Sequence, residues 1–178
     1  MKKLVAILTA LIIILSLNVS AAEKKLSFSS KWKVTVSSDM GNTVMNAFDG
    51  NDESIWHSNY TADGGKITGH DEPPHIIEVD FGAETTVSGW TYLVRRTNFT
   101  GAVFTYNIYS SADGVKYEKI YTGEFDYGEN FSDIGEKRAS WGDKKMKKIK
   151  IEILTSQGGY GSAAEIGFLS GSKADGNN

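Results

Sequence analysis

In the stretch KKIKIEIL, Ile149, Ile151 and Ile153 alternate with Lys148, Lys150 and Glu152. On a helix the middle isoleucine would point away from the other two. On a strand all three share one face and the charges take the other. The same chemistry recurs along the chain. HIIEVDFG sets Ile77, Val79 and Phe81 on one side and stops at Gly82, while VSGWTYLV and FTYNIYSS are rich in β-branched and aromatic residues. YEKIYTGEF, AAEIGFLS and WKVTV read the same way, and Asp113-Gly114 marks a hairpin turn between two of these runs. No window carries a 3.6-residue apolar period. Many short strands punctuated by Gly, Asn and Asp imply an all-β sandwich. The longest segment without a strand signal is Asn59 to Pro74, and loops of that length on a compact scaffold are usually functional or disordered.

The N-terminus bears on location. Lys2 and Lys3 precede an apolar run from Leu4 to Leu17, and NVSAA offers small residues for cleavage after Ala21 or Ala22. This has the layout of a signal peptide at 1–22 and is short for a membrane span. Removing 22 of the 178 residues leaves 156, one domain's worth, at 23–171 with a polar tail at 172–178. Two lysines leave with the first 22 residues, so the formal charge moves from −3 to −5. A mildly acidic exported domain is poorly suited to nucleic acid or anionic lipid. With no cysteine, the chain has no disulfide, thiolate metal site or cysteine nucleophile. Its fold must rest on an ordinary apolar core.

Sequence signals for catalysis are lacking. HExxH, GxSxG and the phosphate-cradling P-loop are all absent, and no two of His57, His70 and His75 stand at i, i+4. The conspicuous polar segment is NAFDGNDESIWHS, Asn46 to Ser58. An EF-hand starting at Asp49 would need Gly and Glu where Ser54 and Tyr60 stand. A tight loop turning carbonyls inward could still hold calcium, but composition alone favours a hydrated surface turn.

Five segments in order change that balance: NAFDGNDESIWHSNY, PPHIIEVDFG, VSGWTYLVRRTN, YNIYSSADGVKYEK and GYGSAAEIGF. Together they resemble the coagulation factor five/eight type C, or discoidin, domain. Bacterial family thirty-two carbohydrate-binding modules and the N-terminal domain of galactose oxidase are the most similar branches. The resemblance implies an eight-stranded jelly-roll sandwich and one structural calcium. Its ligands would be the carboxylates of Asp49 and Glu165, carbonyls of Asn46, Asn51, Ser54 and Ala164, and the Ser54 hydroxyl. It also implies a loop-end sugar site built from His57, Tyr60, Arg95, Asn98 and Tyr160, with galactose or N-acetylgalactosamine as the terminal sugar. Asp39 lies near where some relatives carry an acidic ligand.

The chemistry of those side chains suits a sugar. A tyrosine ring takes the C–H face of a pyranose, arginine forks to neighbouring hydroxyls, and histidine donates or accepts at another. Trp56 and His75 read as structural, and His70 as a residue that could reach the ligand or do nothing. Many relatives have Leu-Pro-Arg-Gln where this chain has Leu93-Val94-Arg95-Arg96, which leaves open which arginine faces the ligand. The expected function is therefore a secreted, non-catalytic carbohydrate-binding module, alone or in a larger surface or enzyme assembly. The alternative is a cell-surface adhesion domain that binds protein or membrane lipid.

Overall fold

The computed structural model describes residues 23–41 and 43–174. The export segment expected at 1–22 and residues 175–178 of the tail lie outside the described residues. In chain order the strands are β1 (Lys24–Lys25), β2 (Lys33–Val36), β3 (Trp56–His57), β4 (Tyr60–Asp63), β5 (Lys66–His70), β6 (His75–Leu93), β7 (Val103–Ser111), β8 (Glu118–Glu124), β9 (Lys137–Ser156), β10 (Ser162–Ala163) and β11 (Glu165–Ser170). Eleven segments stand where eight were expected: β1, β3 and β10 are two-residue strands, β1 pairing with β11 and β3 with β10, and β4 and β5 form a two-stranded sheet of their own. Among the described residues no helix is long and apolar enough to cross a membrane.

One antiparallel sheet runs β1-β11-β6-β9-β7-β8, with β2 also on β6. Its two longest members, β6 and β9, pair with register breaks between Asp80 and Thr85 and between Val87 and Gly89. Strands bend at such breaks, so the two halves of β6 serve different layers. His75–Asp80 lies between β2 and Lys148–Ile153, whereas Gly89–Leu93 lies between β11 and Lys137–Ser140. Aromatic contacts close the layers on each other: Phe81 meets Phe168 at 5.4 Å and Trp90 meets Tyr106 at 4.9 Å between ring centroids. The fold is thus the all-β antiparallel sandwich that the alternating runs imply. Ile149, Ile151 and Ile153 are buried to the last few per cent, as their period requires.

Two sequence readings change. Residues 59–74, read as structureless, contain the hairpin β4–β5. Gly64 and Gly65 link Asp63 to Lys66 with φ of +56° and +79°, a two-residue turn that needs left-handed backbone at both positions. Both its strands are largely exposed, so no apolar alternation marks them in the sequence. Ser172, assigned to the polar tail, is tied into the fold. Its amide donates to Ser88 Oγ at 3.0 Å and its hydroxyl to Glu23 at 2.8 Å.

Candidate functional site

Short β3–β10 pairing decides where the site forms. It sets His57 opposite Ser162 and Trp56 opposite Ala163, joining two segments a hundred residues apart in the chain. Trp56 is 1% exposed and donates its indole N–H to the Ser38 carbonyl at 3.1 Å. The next residue therefore reaches the cavity from a fixed base. Ser58 then clamps the loop 157–161: its amide donates to the Gly161 carbonyl at 2.7 Å, and the Gly161 amide donates back to Ser58 Oγ at 2.9 Å. Buried His75 bonds the Gly159 carbonyl through Nε2 at 2.9 Å. A Cβ on Gly161 would lie 2.7 Å from Trp56, so only glycine lets the loop approach this closely. Tyr160 projects from the loop that these contacts hold.

His57, Tyr60, Arg95, Asn98 and Tyr160 come together around one cavity of about 360 Å³. The rings of His57 and Tyr60 stand 5.4 Å apart, those of His57 and Tyr160 5.5 Å, and those of Tyr60 and Tyr160 6.5 Å. Of the two arginines, Arg95 lines the cavity, whereas Arg96 forms an ion pair with Asp52. His70 is not among the lining residues and packs, tilted by 36°, against the Tyr160 ring at 4.2 Å. Asp39 does not line the cavity either: one oxygen accepts from the Thr43 amide and hydroxyl, and the other from the Val44 amide. The sequence reading missed Met40, Thr43, Ile55, Ile67 and Thr100, which complete the lining. No motif marks them, because the 43–48 turn, the β4–β5 hairpin and the 98–101 turn each bring one or more to the rim.

His57 is held neutral. Burial pulls its pKa below the ordinary histidine value, and the Arg95 charge acts the same way, against a bond to the Ser58 carbonyl. That 2.7 Å contact involves Nδ1. It assigns the proton there and leaves Nε2 as an acceptor. Neighbouring Arg95 is also pulled down by burial, and its guanidinium has one long contact, 3.3 Å, to Thr97 Oγ1.

Asn98 reaches the rim on unusual backbone. Asn98, Phe99, Asn130 and Phe131 all have positive φ, from +50° to +57°, a region costly for bulky residues. The Phe99 and Phe131 rings stack at 4.7 Å with planes 12° apart, so each Asn-Phe pair supports the other. We expect Phe131→Ala to release the 98–101 turn and weaken any ligand of this cavity several-fold, as titration of the variant against wild type would measure. Unchanged affinity would separate the stack from the site.

The second cluster lies where the 46–54 loop meets β11. Asp49 Oδ1 accepts from the Asn51 amide at 2.8 Å, and Ser54 Oγ lies 2.8 Å from both Asp49 Oδ2 and the Asn51 carbonyl. The Asn46 side-chain amide donates to the Ile55 carbonyl at 3.0 Å, fixing the loop's exit. Glu165 has one carboxylate oxygen buried without a partner. Its pKa is raised, first by burial and then by the Asp49 charge, against the Gly50 amide. Buried Ala164 precedes it and donates its amide to the Leu93 carbonyl at 2.9 Å. Among the described residues no three His, Cys, Asp or Glu side chains cluster as metal ligands. A cation here would therefore depend on carbonyls for most of its shell. Two neighbouring carboxylates, one with an orphaned buried oxygen, fit a hard cation.

Residues 27–166 match the F5/8 type C domain model. Galactose oxidase of Gibberella zeae is 28% identical over 163 residues, 89% of this chain and 22% of that protein, so this chain spans about a fifth of the relative's length. Among solved structures, the family 32 module of Clostridium perfringens NanJ in complex with galactose superposes with a TM-score of 0.69. It is 21% identical, and the match covers 84% of this chain and all of that one. A CBM32 module from Clostridium perfringens in complex with GalNAc-β-1,3-galactose gives 0.64 at 28% identity, over 78% of this chain and 94% of that one. The matched segment runs from the strand-leading residues before β2 into β11 and so contains both clusters. This chain belongs to the F5/8 type C domain family.

Proposed function

We propose that this protein is an exported, non-catalytic carbohydrate-binding module that recognises galactose-type glycans at the cavity formed by His57, Tyr60, Arg95, Asn98 and Tyr160. One observation carries the reading: five side chains from three separate stretches of chain, 57–60, 95–98 and 160, each suited to a sugar, converge on one cavity. Tyr160 and Tyr60 offer ring faces to C–H surfaces. Arg95 and Asn98 supply donors to hydroxyls, and neutral His57 accepts through Nε2. The solved relatives in complex with galactose and with GalNAc-β-1,3-galactose support a galactose-type terminus. Calcium would be held by Asp49, Glu165, the Ser54 hydroxyl and the carbonyls of Asn46, Asn51, Ser54 and Ala164. It would neutralise the two carboxylates and tie the first loop to the last strand. The residues that would hold it are distinct from those lining the cavity, which makes its role structural.

A glycan array probed with the purified protein tests the reading, with anionic liposomes alongside. Binding to terminal galactosides without liposome binding supports it. Liposome binding with a silent array would overturn it in favour of membrane adhesion. Export is checked separately by N-terminal sequencing of protein recovered outside the cell, which should begin after Ala21 or Ala22.

Acidity should weaken glycan binding. Protonated His57 would lose its acceptor and place a second charge beside Arg95. Because its pKa is below the ordinary value near 6.5, affinity should be flat from about pH 8 to 6.5 and fall only below that range. A titration series across pH checks this, and a fall centred above the ordinary value would contradict a neutral, buried His57.

A further inference from the structure

We infer that the preferred ligand of the cavity carries an oxyanion, a sugar carboxylate or sulfate, seated against Arg95; this rests on the glycan-binding reading above. Arg95 is the one arginine or lysine lining the cavity, and among the described residues no aspartate or glutamate lines it. The nearby acids are engaged elsewhere. Asp39 accepts from Thr43 and Val44, Asp52 holds Arg96, and Asp71 accepts from the Ser38 hydroxyl at 2.7 Å. Glu72 lies beside His70, at 3.5 Å, and is mostly exposed. What acts on Arg95 is chiefly its burial, with no carboxylate contributing, whereas Arg96 answers to Asp52 and Glu53.

This imbalance matters once a ligand arrives. A sugar lying over Tyr60 and Tyr160 would strip water from an already half-buried guanidinium, and desolvated charge is costly without a partner. Neutral hydroxyls return only dipoles. A carboxylate or sulfate returns a full charge in the geometry of the guanidinium fork. Charge-assisted hydrogen bonds exceed neutral ones by about a factor of ten in affinity. The mildly acidic whole chain works weakly against this through screened long-range repulsion, so the preference is a local property of the cavity.

Isothermal titration of the whole protein with methyl galactoside, methyl galacturonoside and galactose 6-sulfate tests the inference and separates its two anion sources. At least one acid should bind about tenfold tighter than the neutral galactoside. The gap should narrow in about 1 M salt, where the Debye length is about 3 Å. It should disappear in Arg95→Gln and survive in part in Arg95→Lys. If the neutral galactoside binds as tightly as both acids, the inference falls and the galactose-type reading stands. If none of the three binds at millimolar concentration, both fall. An acid preference that persists in Arg95→Gln removes Arg95 from the role.

Discussion

Arg95→Ala and Tyr160→Ala are each expected to weaken glycan binding below what an array detects while leaving the fold intact. Arg95 lines the cavity from the turn after β6, and its intramolecular bond is the long one to Thr97. Truncating it removes the cavity's permanent cation and little that holds the sandwich together. Hydrogen bonds from a charged donor contribute roughly 1.5–3 kcal/mol each, which is about ten- to hundredfold in affinity. Tyr160 lies outside the apolar core, against His57, Tyr60 and His70. Its loss would remove one of two stacking faces and leave the His70 ring without its neighbour. Array signal and melting temperature together read the outcome. Signal should disappear with the melt almost unchanged, since substitutions outside the core usually change stability by about 0.5 kcal/mol or less. A folded Arg95→Ala protein that still binds galactosides would refute the assignment of this cavity. Arg96→Ala serves as the control: it breaks an exposed pair with Asp52, worth about 0–1 kcal/mol, and should leave binding alone.

The residues around this cavity differ in how visible they are in the sequence, and the reason is physical. Strands with one face in the core announce themselves, because burial imposes a period of two on Ile149, Ile151 and Ile153 and on Ile77, Val79 and Phe81. The β4–β5 hairpin packs neither face firmly, so nothing selects alternation there. Its one cue is the Gly64-Gly65 turn. Ile67, 51% exposed, reaches the cavity wall from that hairpin and is missed for the same reason. His57 and Tyr160 were legible through their motifs, but what fixes them was not. The Ser58–Gly161 clamp and the His75 bond to Gly159 join residues about a hundred positions apart, and such pairings have no local signature. The arginine choice likewise needed three dimensions. Arg95 and Arg96 are adjacent in sequence, and only the position of Asp52 draws one of them away from the cavity. The paired left-handed Asn-Phe turns are a further case. Nothing in either dipeptide alone foretells that Phe99 will stack on Phe131.

The other large effect should come from the Asp49–Glu165 cluster, and it should change sign with calcium. Glu165 is half-buried near Asp49 with an orphaned oxygen, and its pKa is raised. A carboxyl whose folded pKa exceeds its unfolded value contributes stability that is full below the unfolded value. That contribution is lost as pH rises through the folded value. At neutral pH the metal-free fold therefore carries an unfavourable charge, and Glu165→Gln should leave it equally or slightly more stable. With calcium the same charge would become a ligand. A cation bound only by the folded state at a hundred times its dissociation constant adds about 2.7 kcal/mol, or roughly 5–10 °C in melting temperature for a domain of this size. Glu165→Gln should lose most of that increment, and Asp49→Asn should behave likewise. Thermal melts of wild type and both variants, after chelation and again with calcium restored, read all the signs at once. A wild-type melt that does not respond to calcium after verified removal would refute the metal site. A Glu165→Gln protein that loses stability equally with and without calcium would instead make Glu165 an ordinary structural carboxylate.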